Sequence, residues 1–207
     1  MNKLEEVVWA IKTDKLFSNN KYFQGYRTPP DKEILNRIYN DCIPLTRREC
    51  ENDPNYKHII PYILLTNETN EIFVTQRTEK QTEKRLHNKF SVGIGGHVGP
   101  TRFLTIKDSI RTGMIRELQE EMTGMEQVGN AFDFIPTLTG FVNLDDAVGA
   151  VHFGLVYELL VGLDRIKTIN VKETENMVGS WMPFEEASKI KNYESWSQLI
   201  LEGYGGK

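Results

Sequence analysis

The most regular hydrophobic pattern in the chain lies in the stretch from Ile106 to Gly124. Apolar side chains recur there at every fourth position, at Ile106, Ile110, Met114, Leu118 and Met122. Because an α-helix turns once in about 3.6 residues, this spacing predicts a helix with one buried stripe. The polar hexapeptide 116–121, Arg-Glu-Leu-Gln-Glu-Glu, lies late in the same segment, so its charges would flank the stripe.

Shorter apolar runs on both sides of this helix predict β-strands. Residues 59–65 are apolar at nearly every position, which is typical of a strand buried on both faces. Further strands are predicted at 71–77, 90–94, 132–142 and 150–163, with a polar hairpin at 78–88. Towards the end of the chain the pattern predicts an acidic loop at 172–179 and helices at 184–190 and 195–201.

The first quarter of the chain has a weaker pattern. Residues 7–11 predict a short strand, and Asp31 precedes apolar residues at helical spacing, which predicts a helix start. Residues 41–56 are predicted to be irregular. We therefore expect residues 1–56 to be an N-terminal extension packed on a core domain formed by residues 57–207.

Composition limits the classes of protein to consider. A chain of 207 residues suits one domain. A net charge of −4 and a pI near 5.7 do not favour binding to nucleic acid or to anionic membranes. No apolar run approaches the roughly 20 residues needed to span a bilayer, and residues 1–14 lack the pattern of a signal peptide. Cys42 and Cys50 are too few for a disulfide framework, so a reducing cytoplasm is the expected location.

The acidic residues of the hexapeptide allow two interpretations. On a helix Glu117 and Glu121 lie one turn apart on the same face, and Arg116 lies one turn before Glu120, with which it can pair. Carboxylates held so close repel one another unless a cation lies between them, and a divalent metal prefers oxygen ligands. The other interpretation is a solvated acidic helix face, which is what most short acidic runs are.

The order strand, Gly95-Gly96, loop, helix and Arg-Glu-Leu-x-Glu-Glu resembles the Nudix hydrolases, whose pattern is G-x5-E-x7-R-E-U-x-E-E-x-G-U, where U is a bulky aliphatic residue. Arg116 to Glu121 match its second half in full. Asp108 stands where the family has its first Glu, and Gly96 is the leading Gly. Eleven residues separate these two instead of five, so the loop carries an apparent six-residue insertion. Gly124 follows one place later than the family's Gly.

The resemblance implies a fold of the α/β (α+β) class, an α/β/α sandwich with a mixed β-sheet. It also implies hydrolysis of a diphosphate linkage in a small nucleoside-diphosphate-type metabolite, with Mg²⁺ or Mn²⁺ as cofactor. Glu117 and Glu121 would be the principal metal ligands, Glu120 a third ligand or a partner of Arg116, and the backbone at Gly96 would approach the metal. Some members take the general base from a later loop.

In this chain the candidates for that base are Glu173 and Glu175, and the alternative is an exposed acidic loop without a catalytic role. Arg77, Gly95 and His97 are predicted to face the substrate. The alternatives are an ordinary surface charge for Arg77, a plain turn for Gly95 and a structural hydrogen bond for His97. His58 and His152 have no ligand-like spacing and are expected to serve packing or surface roles.

Other functions have less support from the sequence than hydrolysis. A non-catalytic module of the same fold that senses nucleotides would commonly lack motif acids, and all three are present here. A prenyl-diphosphate isomerase needs a reactive cysteine in the core, whereas Cys42 and Cys50 precede the first core strand. Decapping of messenger RNA has no support from a pI near 5.7. We expect a small-molecule substrate, no membrane and no nucleic-acid partner, and keep a homodimer as an open prediction.

Overall fold

The structure is a computed structural model and describes residues 2–79, 87–125 and 136–204. The strands are β1 (Val7–Lys12), β2 (Gly25–Arg27), β3 (Ile43–Thr46), β4 (Tyr56–Asn67), β5 (Glu71–Arg77), β6 (Phe90–Ser91), β7 (Gly93–Gly95), β8 (Met122–Thr123), β9 (Thr137–Asn143), β10 (His152–Val161), β11 (Asn170–Val171) and β12 (Met177–Pro183). The α-helices are α1 (Thr13–Leu16), α2 (Lys32–Asp41), α3 (Arg47–Cys50), α4 (Ile106–Glu121), α5 (Phe184–Ala187) and α6 (Ser195–Tyr204).

The chain divides into two compact units. The first comprises Met1–Tyr62, Gly95–Met114 and Leu138–Val156, and the second comprises Ile63–Ile94, Ile115–Thr137 and Tyr157–Lys207. The boundaries fall inside β4, α4 and β10, so these three elements run from one unit into the other. The predicted division at residues 56 and 57 stays a prediction.

In the first unit β1 lies between two antiparallel neighbours. Val8 pairs with Leu45 of β3, and Ala10 pairs with His58 of β4. The predicted strand at 7–11 is therefore present, and its inward side chains Val8 and Ala10 form a small buried cluster with Cys50. In the same unit β2 pairs antiparallel with β9, next to β10. These pairings bring the first quarter of the chain into the same network of strands as β4.

The expectation that residues 41–56 are irregular is wrong. This segment forms β3 and the single-turn helix α3. Thr46 caps α3 through a capping box, in which the backbone N–H of Thr46 donates to Glu49 Oε2 at 2.7 Å. The sequence signal Thr-x-x-Glu was therefore present. Elements of four residues are too short for a hydrophobic period to reveal them.

In the second unit β5 lies between β12 and β4. Seven residues of β12 pair antiparallel with β5, from Met177 opposite Arg77 to Pro183 opposite Glu71. The predicted acidic loop 172–179 is therefore too long by three residues, because β12 begins at Met177. The helix predicted at 184–190 is the shorter α5, which ends at Ala187. The predicted hairpin at 78–88 and strand at 132–142 lie partly outside the described residues, and β9 begins at Thr137.

The long helix α4 agrees with most of its predicted pattern. Ile110, Met114 and Leu118 are buried, with exposed fractions of 3% or less. Ile106 is only partly buried, and α4 ends at Glu121, so the buried Met122 is the first residue of β8. Because only one face of this amphipathic helix is buried, the charged residues between the apolar positions lie at the edge of the core. Within the described ranges, no helix is both long and apolar enough to cross a membrane.

Candidate functional site

The C-terminal half of α4, in the second unit, carries the three acids of the hexapeptide, and they differ in exposure. Glu117 precedes the fully buried Leu118 and is only 8% exposed. Glu120 is exposed, and Glu121 is half-buried. A buried carboxylate is costly unless a cation or hydrogen-bond donors compensate its charge. The helix period therefore places Glu117 and Glu121 where compensation is required and leaves Glu120 in solvent.

Arg116 supplies part of that compensation. Its guanidinium forms ion pairs with Glu117 Oε1 at 2.6 Å and with Glu120 Oε2 at 2.9 Å. The pair with Glu120 agrees with the spacing of one helical turn, whereas the pair with the adjacent Glu117 was not expected. Arg116 therefore bridges two of the three acids.

Glu121 lies in an environment that disfavours its charged form. Burial, followed by the neighbouring carboxylate of Glu117, raises the pKa of Glu121 to about 7, while the cation of Arg77 acts in the opposite direction. Glu120 and Glu173 add to the repulsion. Carboxylates that repel one another, one of them with its charge suppressed, offer the oxygen donors that a hard divalent cation prefers. The residues present therefore fit the metal that the sequence pattern implies.

The loop with Glu173 and Glu175 is fixed at both ends. At one end β11 pairs with β8 immediately after α4, and the backbone N–H of Lys172 donates to the Glu121 carbonyl at 2.8 Å. At the other end Met177 pairs with Arg77. The loop therefore starts at the end of α4 and finishes beside Arg77.

Contacts inside the loop differ for its two acids. Asn176 donates from Nδ2 to Glu173 Oε2 at 2.9 Å. For Glu175 the backbone carbonyl accepts from Thr78 Oγ1 at 2.7 Å. Both side chains are exposed, and Glu173 is among the groups that shift the pKa of Glu121. The structure thus brings Glu173 together with the α4 acids.

The other predicted residues, Gly95, Gly96, His97 and Asp108, lie in the first unit. At Gly95 glycine is required for steric reasons. A Cβ at Gly95 would lie 2.5 Å from the carbonyl oxygen of Pro61. The loop that follows, residues 96–99, is packed closely on two sides. A Cβ at Gly99 would lie 2.0 Å from the Val7 carbonyl oxygen, and one at Gly113 of α4 would lie 2.1 Å from Val98 Cγ1.

Asp108 has a structural position at the start of α4. The hydroxyl of Thr105 donates to Asp108 Oδ2 at 2.5 Å and accepts from the Asp108 backbone N–H at 3.1 Å. These reciprocal contacts satisfy a helix N-terminus in the manner of an N-cap. The extra residues between Gly96 and Asp108 thus end in a loop that supplies the cap of α4.

His97 lies against two other histidines of the first unit. Its Nε2 is 3.0 Å from His58 Nδ1 and 3.2 Å from His152 Nε2. Burial lowers the pKa of His58 to about 4, with His152 as the next cause, and burial also lowers the pKa of His152. Sequence reasoning missed this cluster because its members are 39 and 55 positions apart, which no local motif covers.

Known proteins agree with the fold and with the pattern of acids. Residues 57–203 match the family model of the NUDIX domain. Protein YmaB of Bacillus subtilis (strain 168) is 32% identical over 210 residues, which cover 98% of each chain. The crystal structure of Tm1382 superposes with a TM-score of 0.75 at 24% identity, covering 96% of this chain and 98% of that one.

The likeness to Tm1382 concerns the fold alone and confirms the predicted α/β (α+β) class with a mixed β-sheet. The family match covers well over half of the chain and includes every acid of the α4 site. Divalent metal ions serve as cofactors in this family, and its substrates are small molecules. The chain therefore belongs to the Nudix family and is a hydrolase of phosphoric anhydride bonds.

Proposed function

We propose that this pyrophosphohydrolase cleaves the diphosphate linkage of a small metabolite in which a nucleoside diphosphate is joined to another group, with Mg²⁺ or Mn²⁺ as cofactor. The observation that carries the proposal is the half-buried carboxylate of Glu121, whose pKa is raised to about 7 by burial and by Glu117. A site that suppresses the charge of its own acid is prepared to receive a cation.

Glu117 and Glu121 are the residues that would hold the ion, since they share one face of α4 and are the less exposed of the three acids. Glu120 is either a third ligand or stays with Arg116. When bound, a divalent ion neutralises the negative charge of a diphosphate and lowers the pKa of water at the site. The approach of the Gly96 backbone to such an ion stays a prediction from the sequence pattern.

Glu173 is the proposed proton acceptor, with Glu175 as the alternative. In the reaction a water oxygen forms a bond to one phosphorus atom, the bridging phosphorus–oxygen bond breaks, and the proton of the water passes to a carboxylate. Glu173 is supported because its charge acts on Glu121 and because Asn176 orients it.

Arg77 is proposed to face the substrate. Arg77 ends β5 beside the loop of Glu173, and its positive charge acts on Glu121. A guanidinium in that position suits a phosphate oxygen. A place for Gly95 beside the substrate is supported only by its lack of a side chain. A place for His97 there stays a prediction, because the Nε2 of His97 faces His58 and His152.

A second candidate function is a binding module that senses nucleotides without turnover. The ion pairs of Arg116 with Glu117 and Glu120 favour it, because a guanidinium already occupies two of the three carboxylates. The presence of all three acids favours catalysis. For both functions we propose a cytoplasmic location on the basis of the two free, buried thiols, and a homodimer remains untested.

The test is a hydrolysis screen with nucleoside triphosphates, dinucleoside polyphosphates and sugar nucleotides, in which products are separated by anion exchange. We expect turnover of at least one class, loss with EDTA and recovery with millimolar Mg²⁺. Glu121→Gln should lower kcat/KM by on the order of 1,000-fold, since losing a metal ligand removes several kcal/mol of transition-state stabilisation. Glu68→Gln, at an exposed turn, is the matched control.

Undiminished turnover by Glu121→Gln, or activity indifferent to EDTA, would overturn the metal assignment. Nucleotide binding by the wild type without turnover of any class would instead establish the sensing module.

A further inference from the structure

Three imidazoles of the first unit point nitrogen atoms at a common place. His58 lies on β4, His97 follows β7, and His152 is the first residue of β10. Nε2 of His97 is 3.0 Å from Nδ1 of His58 and 3.2 Å from Nε2 of His152, and the three nitrogens all lie within 4.8 Å of one another. His58 is fully buried and His152 is 8% exposed, so the convergence occurs inside the unit.

The tautomer of one ring is fixed by its second nitrogen. Nδ1 of His152 is 2.6 Å from the carbonyl oxygen of Val148. A carbonyl can only accept, so Nδ1 carries the proton and Nε2 directs a lone pair at His97. Metal-binding histidines show the same arrangement, in which the nitrogen away from the metal donates to a backbone carbonyl.

The distances match the ligand geometry of a small transition-metal ion. Tetrahedral coordination at about 2.0–2.1 Å places neighbouring ligand nitrogens about 3.3 Å apart. The two measured separations, 3.0 and 3.2 Å, are close to that value. A proton on His97 Nε2 shared between the two other rings would also bring three nitrogens together, and this is the competing explanation.

We propose that His58, His97 and His152 form a second metal site, which binds a borderline transition-metal ion of the Zn²⁺ class through three imidazole nitrogens. Three protein ligands leave a fourth position for water or a small anion. Imidazole suits Zn²⁺, Co²⁺ and Ni²⁺, whereas Mg²⁺ prefers the carboxylate oxygens of the α4 acids. The two sites are therefore selective for different ions.

The surroundings add a carboxylate to the cluster. Glu51 acts electrostatically on both His58 and His152, and Arg47 holds it through two hydrogen bonds of 2.8 Å. The bound ion would tie β4, the loop after Gly95-Gly96 and the start of β10 to one another. Its effect is to fix the backbone of that glycine loop, whether or not the proposed hydrolysis is correct.

Cobalt binding provides the test, because tetrahedral Co²⁺ held by three imidazoles absorbs visible light much more strongly than octahedral Co²⁺ held by carboxylate and water oxygens, and Mg²⁺ does not absorb at all. Untagged full-length protein is titrated with Co²⁺ and then with Zn²⁺ in the presence of millimolar Mg²⁺. We expect one equivalent of Co²⁺ with a tetrahedral spectrum, displaced by Zn²⁺. The chain has four histidines, so His87 outside the cluster is available as a matched control.

His97→Gln should weaken Co²⁺ and Zn²⁺ binding by at least about 100-fold, since even an outer partner of a metal ligand is worth 10–100-fold. His87→Gln and Glu121→Gln should bind as the wild type does. Circular dichroism checks that His97→Gln folds. If it does not, the spectrum of the wild type decides alone.

Wild-type protein with no Co²⁺ spectrum and no tight Zn²⁺ binding would overturn the proposal in favour of the shared proton. Folded His97→Gln that binds as tightly as His87→Gln would also overturn it. Neither result bears on the metal dependence of hydrolysis, which is measured with Glu121→Gln.

Discussion

The backbone N–H of Lys172 donates to the carbonyl of Glu121 at 2.8 Å, which joins the last residue of α4 to the loop that carries Glu173. The bond continues the short ladder between β8 and β11, in which Val171 pairs with Met122. An exposed acidic loop is thereby given a fixed starting point next to the α4 acids. This link is the physical reason to prefer Glu173 over Glu175 as the proton acceptor.

The first prediction separates the two loop acids. Glu173→Gln should lower kcat by about 100-fold or more with little change in KM, because a general base acts in the transition state. Glu175→Gln should retain most of the activity, since Glu173 is the acid next to Lys172, whose bond to the Glu121 carbonyl fixes the loop beside α4. Steady-state kinetics of the two variants decide, and an equal loss in both would exclude a special role for Glu173.

The second prediction concerns the two ion pairs of Arg116. Arg116→Gln leaves Glu117, whose side chain is 11% exposed, without its ion pair with Arg116. Because Arg116 itself is 43% exposed, solvent screening limits the loss to about 1 kcal/mol of unfolding free energy in EDTA. Added Mg²⁺ should restore more stability to this variant than to the wild type. Urea unfolding measures the loss in EDTA and the recovery with Mg²⁺, and Arg102→Gln is the control.

If Mg²⁺ raises the free energy of unfolding of the wild type and of Arg116→Gln equally, the ion and Arg116 do not neutralise the same carboxylate.

The third prediction uses two glycines with positive φ. Gly124 has φ +73°, and a Cβ there would lie 2.7 Å from the Thr168 carbonyl oxygen, whereas Gly25 has φ +96° and open space. Gly25→Ala therefore measures backbone strain alone, about 1–2 kcal/mol. Gly124→Ala should cost at least about 1 kcal/mol more, because overpacking is added. Denaturant midpoints compare the two, and an equal cost would mean that the Thr168 backbone yields.

The fourth prediction concerns pH and the N-cap of α2. Asp31 accepts from the backbone N–H of Glu33 at 2.9 Å and from Lys21 Nζ at 2.9 Å. Asp31→Ala should cost about 1 kcal/mol of unfolding free energy, as the loss of an N-cap does. Asp31→Asn keeps an acceptor for the helix but loses the charge, so it isolates the pair with Lys21.

The sign of the pH effect follows from the direction of the shift. The hydrogen bond from Lys21 holds the pKa of Asp31 below its ordinary value. Its stabilisation is therefore complete above the unfolded-state pKa of about 3.9 and is lost as the pH falls through the lower folded value. The stability difference between wild type and Asp31→Asn should shrink below about pH 4. A difference that stays constant down to pH 2.5 would contradict the ion pair.

Regular elements could be predicted from the sequence because their period is local. The four-residue repeat placed α4, and the continuous apolar run placed the buried strand β4. The hexapeptide identified the acids, since their relation is set by one helix. The partners of those acids could not be predicted, because the bond from Lys172 to Glu121 joins residues that are 51 positions apart and depends on the pairing of β8 with β11.

The histidine cluster shows the same limit more sharply. His58 and His152 have polar side chains in apolar strands, and nothing near them in sequence indicates a shared partner. Only the register of the strands and the course of the loop after β7 bring them to His97. The meeting of three imidazoles at one place depends on the tertiary fold, and no short-range spacing in the sequence indicates it.

Gly99 and Gly113 perform no chemistry, yet they determine where His97 can be. The loop between Gly96 and Gly99 has backbone on one side, at Val7, and α4 on the other, at Gly113, and neither side has room for a methyl group. Any larger residue at either position must displace the loop and carry the His97 ring away from His58 and His152. The two glycines and the three histidines are therefore expected to covary among related sequences.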